Sequence, residues 1–449
     1  MSKQINIKRG YDIKLKGKAQ GTVQELSLST YALKPTDFHG MFPKLSVRVG
    51  EKVKRGTTVF FNKNRDYIKI PSPVSGTITE VVRGAKRKML EIRIEADGSD
   101  EFVAFEKANP SSLSQEKIID QLIASGLWSL IRQRPYNVIA DPKDQPKAVF
   151  ISGFDSAPLA ANVDLVIKGQ EAAFQAGIDA LAKLTVGKVH LNVCSETKSA
   201  MLLQAKGAEI TSFKGPHPAG NVGIQIHHIS PINKGDIVWT VQPQDVITIG
   251  NLFILGQYNS ELTIALTGSE VSKPQYFKIH RGAHIAKILE NQIQTKEDVR
   301  IISGNVLTGT RIERNGFLSY YHNMLSVIPE GNTYSFFGWL VPSPAKHSFY
   351  RTAFSWLSPN KEYALNTNIN GGERAFVFTG ELEKVFPMDI LPIQLLKSIL
   401  VNDIDQMEQL GIYELDEEDI ALCEYISTSK INMQEIIRNG LNMMHKEMS

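Results

Sequence analysis

Three candidate strands separated by helical segments constrain this chain most. "KAVFISG" (147–153) reads as a buried strand, and "KVHLNVC" (188–194) and "AEITSF" (208–213) read as a second and a third strand. The segments between them, 168–184 and "SAMLLQAKG" (199–207), carry apolar residues at helical spacing. Strand–helix–strand–helix–strand, with crossovers too long for hairpins, demands parallel strands and a doubly wound, Rossmann-like sheet. At 449 residues the chain exceeds what one core can organise, so this unit is one domain among several.

Residues 1–102 read as β throughout. "KLSVRVGEKVKRGTTVFF" (44–61), "DYIKIPSPVSGTITEV" (66–81) and "KMLEIRIEADG" (88–98) alternate apolar and polar residues between glycine turns. Residues 103–256 hold a connector and the α/β unit. The connector opens with a helix capped by Ser114 and is then stiffened by Pro135, Pro142 and Pro146. "ITIGNLFILG" (247–256), the most apolar stretch, is short enough for a buried strand. Residues 257–330 read as a β-grasp, SLBB-like unit, in which 261–289 is a hairpin around Gly268 and Pro274 followed by a helix. Residues 331–386 read as a β-rich segment, and 387–449 as a helical domain. "ELDEED" (414–419) reads as the acidic first turn of a helix, which suits the helix dipole and requires no partner. The fold class is therefore multidomain α+β.

Composition excludes more than it selects. A net charge of +3 with no basic cluster longer than Lys86–Lys88 argues against nucleic acid. Two cysteines, Cys194 and Cys423, suffice for neither a disulfide framework nor a four-thiolate metal or iron–sulfur site. No window approaches ~18 uninterrupted apolar residues, and the N-terminus lacks a signal-peptide core, so a reducing cytoplasm fits. His227 and His228 are adjacent on an expected strand and face opposite sides, and Arg281 and Gly282 between His280 and His284 suggest a turn, so no metal is expected at either pair. G-x-S-x-G is absent, which leaves hydrolase chemistry unsupported.

"NRDYIKIPSPVSG" (64–76) matches the frame of a biotinyl or lipoyl carrier domain, with Arg65 where the acceptor lysine belongs. A guanidinium stays protonated and accepts acyl groups poorly. Lys63 and Lys69 are close in sequence but read as lying off the hairpin tip. The reading is a carrier-type scaffold without its arm. A carrier domain fused to a transferase is the rival reading.

Beyond these patterns, "SGLWSLIRQRPY" (125–136), "GPHPAGNVGIQIHHI" (215–229), "QDVITIGNLFILG" (244–256), "YRTAFSW" (350–356) and the long "DILPIQLLKSILVNDIDQMEQLGIYELDEEDIALCEY" (389–425) together resemble the A-subunit family of the Na+-translocating NADH:quinone oxidoreductases (Na+-NQR). The resemblance spans nearly the whole chain. It implies kinship with the flavin-binding subunit of respiratory complex I and the C subunit of the Rnf complex. Those relatives carry a glycine-rich flavin loop where this chain has Ser129–Arg134, an acidic residue near Asn221 and Val222, and a cluster of cysteines where this chain has Cys423 and Ser427. "SGFDSAPLA" (152–160) likewise lacks GxGxxG. The resemblance thus implies a cytoplasmic, peripheral subunit with no flavin or iron–sulfur cluster of its own. It acts with the membrane and peripheral B-to-F subunits, the B subunit above all, in a complex that uses NADH, flavins, Fe–S and quinone elsewhere and exports Na+. The alternative is a free-standing flavin/NADH-dependent dehydrogenase. For "GPHPAG", directly after the third strand of the parallel series, two readings stand. Gly215, His217, Pro218 and Gly220 line a quinone site, or the loop is a turn that only packs. Arg132 and Arg134 likewise either dock a partner's carboxylates or lipid phosphates, or are solvated surface arginines.

Overall fold

The computed structural model describes residues 3–448 apart from 294, 296–297, 333–336 and 338–345. Its centre is a seven-stranded sheet in the order Lys3–Asn6, Ala208–Lys214, Lys188–Cys194, Ala148–Ser152, Val238–Thr240, Arg132–Arg134, Val138–Ile139. The three candidate strands pair in parallel at its heart, Val149 beside Val189 and Leu191 beside Ile210. Their side chains alternate between two apolar cores. Val149, Val189 and Leu191 face the helices Glu171–Lys183 and Pro243–Leu255, within a core shared with the N-terminal β domain. Ala148, Phe150 and Phe213 face the other way, into a core shared with the C-terminal helices.

The β domain is two small sheets. One holds Thr30–Leu33, Met89–Ala96, Gly76–Arg83 and Lys52–Val53, and the other Pro43–Leu45, Thr58–Asn62 and Arg65–Pro71. Residues 3–25 do not belong to it. Lys3–Asn6 runs parallel to Thr211–Lys214 at the edge of the central sheet, and Val23–Glu25 adds an edge strand beside Tyr276–Lys278. That second pairing completes a six-stranded sheet with Glu261–Thr267, Gln275–His280, Val299–Ser303, Thr310–Ile312 and Met324–Pro329. The N-terminal segment thus joins the central and six-stranded sheets by backbone hydrogen bonds.

Three local expectations are corrected. Residues 247–256 are not a strand, because Pro243–Leu255 is a helix entered through Pro243 and ended by Gly256 in the left-handed region. No helix follows the 261–280 hairpin. Residues 281–289 are turns and isolated bridges, and Gly282 at φ +69° brings the chain against the Ala32 carbonyl. Within 331–386 the described residues form short 3-10 turns and one isolated bridge, Leu15 to Tyr363, rather than strands, and the rest of that expected β-rich segment lies outside the described residues. The helix Gln115–Ser125 does begin at Ser114, whose hydroxyl accepts the Lys117 N–H. Four helices, Pro392–Leu400, Ile404–Gln409, Glu417–Ile426 and Met433–Met448, build the C-terminal domain. Among the described residues no helix is long and apolar enough to cross a membrane.

Candidate ligand site

The carboxyl ends of the parallel strands open onto a cavity of about 520 Å³ where the central sheet, the six-stranded sheet and the C-terminal helices meet. That volume falls within the range of small-molecule sites. Its lining is polar, with Arg132, Asp155, His217, Gln242, His322 and Gln434 among the residues that face it. A doubly wound sheet collects ligands at this position because strand ends and helix starts converge there.

His217 comes from the loop after Ala208–Lys214, and its peptide bond to Pro218 is cis. Its backbone N–H donates to Asp12, and its Nδ1 lies 3.0 Å from Ser156 Oγ. The same hydroxyl accepts the Gly220 N–H at 2.8 Å. His217 Nε2 is buried and has no partner among the described residues. Of the four loop residues picked out in the sequence, His217 and Gly220 line the cavity while Gly215 and Pro218 do not. Gly215 sits at φ +152°, where a side chain would meet the Ile7 carbonyl, so it serves the edge-strand contact.

Arg134 is not a surface residue. It is 1% exposed, and its guanidinium donates to Asp419 at 3.0 Å and Glu418 at 2.7 Å, with Asp416 at 3.4 Å. The surface-docking role read for it gives way to an internal ion pair. The acidic turn in which no partner was foreseen is the other half of that pair. Asp416 and Asp419 form a capping box on Glu417–Ile426, and both carboxylates are buried against Arg134. Arg438 joins from the last helix, donating to Asp416 at 2.8 Å and to Glu417. Arg134 and Arg438 hold the Asp416 carboxyl well below its usual range despite its burial. Arg132 is half-buried, donates to the Asn137 carbonyl at 3.1 Å and stacks over Tyr321 at 4.7 Å, facing the cavity.

The stretch 129–134 is filled. Leu127–Leu130 is a buried 3-10 turn, and Arg132–Arg134 pairs antiparallel with Val238–Thr240. Trp128 donates from Nε1 to the Ala140 carbonyl at 2.8 Å and meets Trp239 edge-on at 5.4 Å.

His227 and His228 are not on a strand. They lie in the helix Val222–Ile229, where His227 bridges Glu414 and the Asp389 N–H, and His228 bonds the Ile224 carbonyl. His280 ends a strand and contacts Ser260. No cluster of three metal-ligating side chains occurs among the described residues. Cys423 is fully buried and Cys194 is partly exposed. Burial raises the Cys423 thiol pKa, so in the folded chain a maleimide is expected to modify Cys194 alone until denaturant is added.

The carrier-type hairpin turns at Lys63 and Asn64, which puts Lys63 on the tip rather than off it. The hairpin is tethered, however. Arg65 lies 3.5 Å from Asp141, and Tyr67 donates to the same carboxylate at 2.9 Å. An intact-mass measurement is expected to find Lys63 without an acyl adduct.

Sequence reasoning missed His322 altogether. It lines the cavity opposite the parallel sheet, with Nδ1 2.9 Å from Ser303 Oγ, and no motif surrounds it in the sequence. Burial depresses the pKa of both His217 and His322 to about 4 from an ordinary 6.5. Between those values the unfolded chain binds protons that the folded chain does not, so stability falls as pH drops through that window and is fully present above it. Urea unfolding at pH 7.0 and 4.5 checks this for His217, because His217→Gln removes its share and is expected to raise the pH 4.5 midpoint relative to the pH 7.0 midpoint, compared with the parent.

Comparison with known proteins defines the class first. Three family models match successive parts of residues 5–314: the NqrA N-terminal barrel-sandwich hybrid domain over residues 5–97, the NqrA second alpha/beta domain over 113–258, and the NQRA C-terminal domain over 263–314. Among curated proteins, the A subunit of the Na(+)-translocating NADH-quinone reductase from Hahella chejuensis is 38% identical over 448 residues, covering 99% of this chain and 100% of that one. Proteins of the same name from Neisseria meningitidis serogroup B and Serratia proteamaculans are each 38% identical, covering 99% of this chain and 100% of theirs. A solved NAD+-reducing [NiFe]-hydrogenase aligns over 49% of the chain at 14% identity with a TM-score of 0.36, a likeness too weak to build on. The chain belongs to the NqrA family, the A subunits of the Na+-translocating NADH-quinone reductase, and so is one component of a multisubunit translocase.

Proposed function

We propose that this chain is a peripheral, cytoplasmic-side subunit that carries no flavin or iron–sulfur cluster and receives the quinone head group in its central cavity. Other members of the complex, the B subunit foremost, supply the membrane path, because sodium needs polar groups inside the bilayer and no described helix here spans one. The observation that carries the quinone reading is His217. A buried nitrogen without a partner among the described residues, beside a polar cavity at the ligand end of a doubly wound sheet, marks a place where an incoming oxygen restores a hydrogen bond. The absence of a resident flavin is supported by the filled turn at 127–130, and the absence of a cluster by a single buried thiol at Cys423. Arg132, stacked over Tyr321 at the cavity, fits a role at this site better than one on a free docking surface.

In the assembled complex, His217→Ala is expected to raise the KM for quinone about tenfold, the worth of one hydrogen bond at ~1.4 kcal/mol, with complex yield unchanged. Unchanged quinone kinetics would leave the loop a packing element. The chain purified alone is expected to be colourless. Flavin absorbance in stoichiometric amount would instead favour a flavin-dependent dehydrogenase.

A further inference from the structure

Two histidines line the cavity, and the same small device holds each of them. Ser156 Oγ contacts His217 Nδ1 at 3.0 Å and accepts the Gly220 N–H at 2.8 Å. Ser303 Oγ contacts His322 Nδ1 at 2.9 Å and accepts the Ser319 N–H at 2.9 Å. A serine hydroxyl has one proton to give and two lone pairs to offer. In both cases a backbone N–H already occupies a lone pair, and the imidazole nitrogen is the acceptor within reach of the hydroxyl proton. This arrangement favours Nδ1 as the acceptor, with the ring proton on Nε2.

His280 provides a contrast inside the same molecule. Its serine, Ser260, donates its proton to the Pro73 carbonyl, so the hydroxyl oxygen can only accept from His280 Nδ1. That ring takes the opposite tautomer, and it does not line the cavity. The carbonyls of Ser156 and Ser303 also lie near the two cavity rings and pull toward a proton on Nδ1. The hydroxyls, at 3.0 and 2.9 Å from Nδ1, are the better-placed partners and favour the tautomer with the proton on Nε2.

We propose that Ser156 and Ser303 are positioning residues that fix His217 and His322 as Nε2–H tautomers, so that the cavity offers two neutral N–H donors to a ligand bearing two carbonyl oxygens. Resting on the quinone reading above, this assigns one donor to each oxygen of the head group. Both rings are uncharged at neutral pH because burial disfavours the imidazolium. A neutral donor pair suits an uncharged dicarbonyl ring better than a carboxylate or phosphate, which a charged donor would bind more strongly.

The full-length chain labelled with 15N-histidine, assigned with His217→Gln and His322→Gln, tests this by long-range proton–nitrogen correlation at pH 7. Both rings are expected to show the Nε2–H pattern, and His280 the Nδ1–H pattern. Titration with 2,3-dimethoxy-5-methyl-1,4-benzoquinone is expected to shift His217 and His322 together, and each glutamine variant to weaken binding about tenfold. Ser156→Ala is expected to mix the His217 tautomers, while Ser156→Thr, which keeps the hydroxyl, restores the wild-type pattern. A proton on Nδ1 of either cavity ring overturns the proposal whether or not quinone binds. Shifts confined to His217 overturn the pair while leaving the quinone reading in place. Nε2–H rings that no quinone concentration perturbs overturn the quinone reading and, with it, the role assigned to the pair.

Discussion

Replacing Arg134 with alanine is expected to destabilise the chain by about 3–5 kcal/mol, the cost of leaving buried carboxylates without their counter-charge. Asp416 and Asp419 are 4% and 1% exposed, and Arg134 stands against both. Arg438 pairs with Asp416 and Glu417 but, among the described residues, not with Asp419, so it cannot take over. The loss falls on the junction between the central sheet and the C-terminal domain, because Arg134 belongs to one and the acids to the other. Arg134→Lys is expected to recover only part of the loss, since a single ammonium cannot fork between Glu418 and Asp419 as the guanidinium does. Urea unfolding of the full chain measures both. A change under about 1 kcal/mol for the alanine variant, the value of an exposed pair, would place these charges at the surface after all.

Gly250→Ala is expected to cost about 3 kcal/mol, the upper end for overpacking, because the obstruction is backbone rather than a movable side chain. A Cβ at this position would stand 1.8 Å from the Ala173 carbonyl oxygen and 2.9 Å from the Gly177 nitrogen. Gly177 mirrors it, since a Cβ there would meet the Val246 carbonyl at 2.0 Å. The helices Glu171–Lys183 and Pro243–Leu255 therefore cross backbone to backbone through two glycines. Helix propensity alone argues the opposite sign, because alanine in place of a mid-helix glycine normally adds about 1 kcal/mol. A variant more stable than the parent would show that the crossing can open without penalty.

That crossing also shows why 247–256 reads as a strand. Ile247, Thr248 and Ile249 are β-branched and Gly250 interrupts them, which is local strand chemistry. The helix forms because Gly250 and Gly177 permit a contact that no local pattern records, so tertiary packing overrides propensity. The strands Ala148–Ser152 and Lys188–Cys194 were legible because burial on both faces writes near-continuous apolar runs into the sequence, whereas Ala208–Lys214 is only partly buried and reads as a strand through its place after a helix. The Ser114 cap was legible because a cap is a local device.

The candidate site was legible only where it coincided with a sheet rule. His217 follows a strand of the parallel series, and strand ends collect ligands. His322 and Ser303 lie in the six-stranded sheet domain and reach the same cavity only through folding. The acids at 414–419 gave a correct local reading as a helix start, and their partner 285 residues away left no trace in the pattern. Lys63 was misplaced because the hairpin turn falls two residues earlier than the Arg65-centred frame implies.

The most direct measurement is photolabelling of the intact complex with a reactive quinone, followed by mass mapping of this chain. Labels are expected on the cavity walls, at the His217–Gly220 loop or the segment around His322, and competition with unlabelled quinone is expected to remove them. Labels confined to the membrane subunits, with none on this chain at any quinone concentration, would contradict the reading and leave the chain in the role of a scaffold.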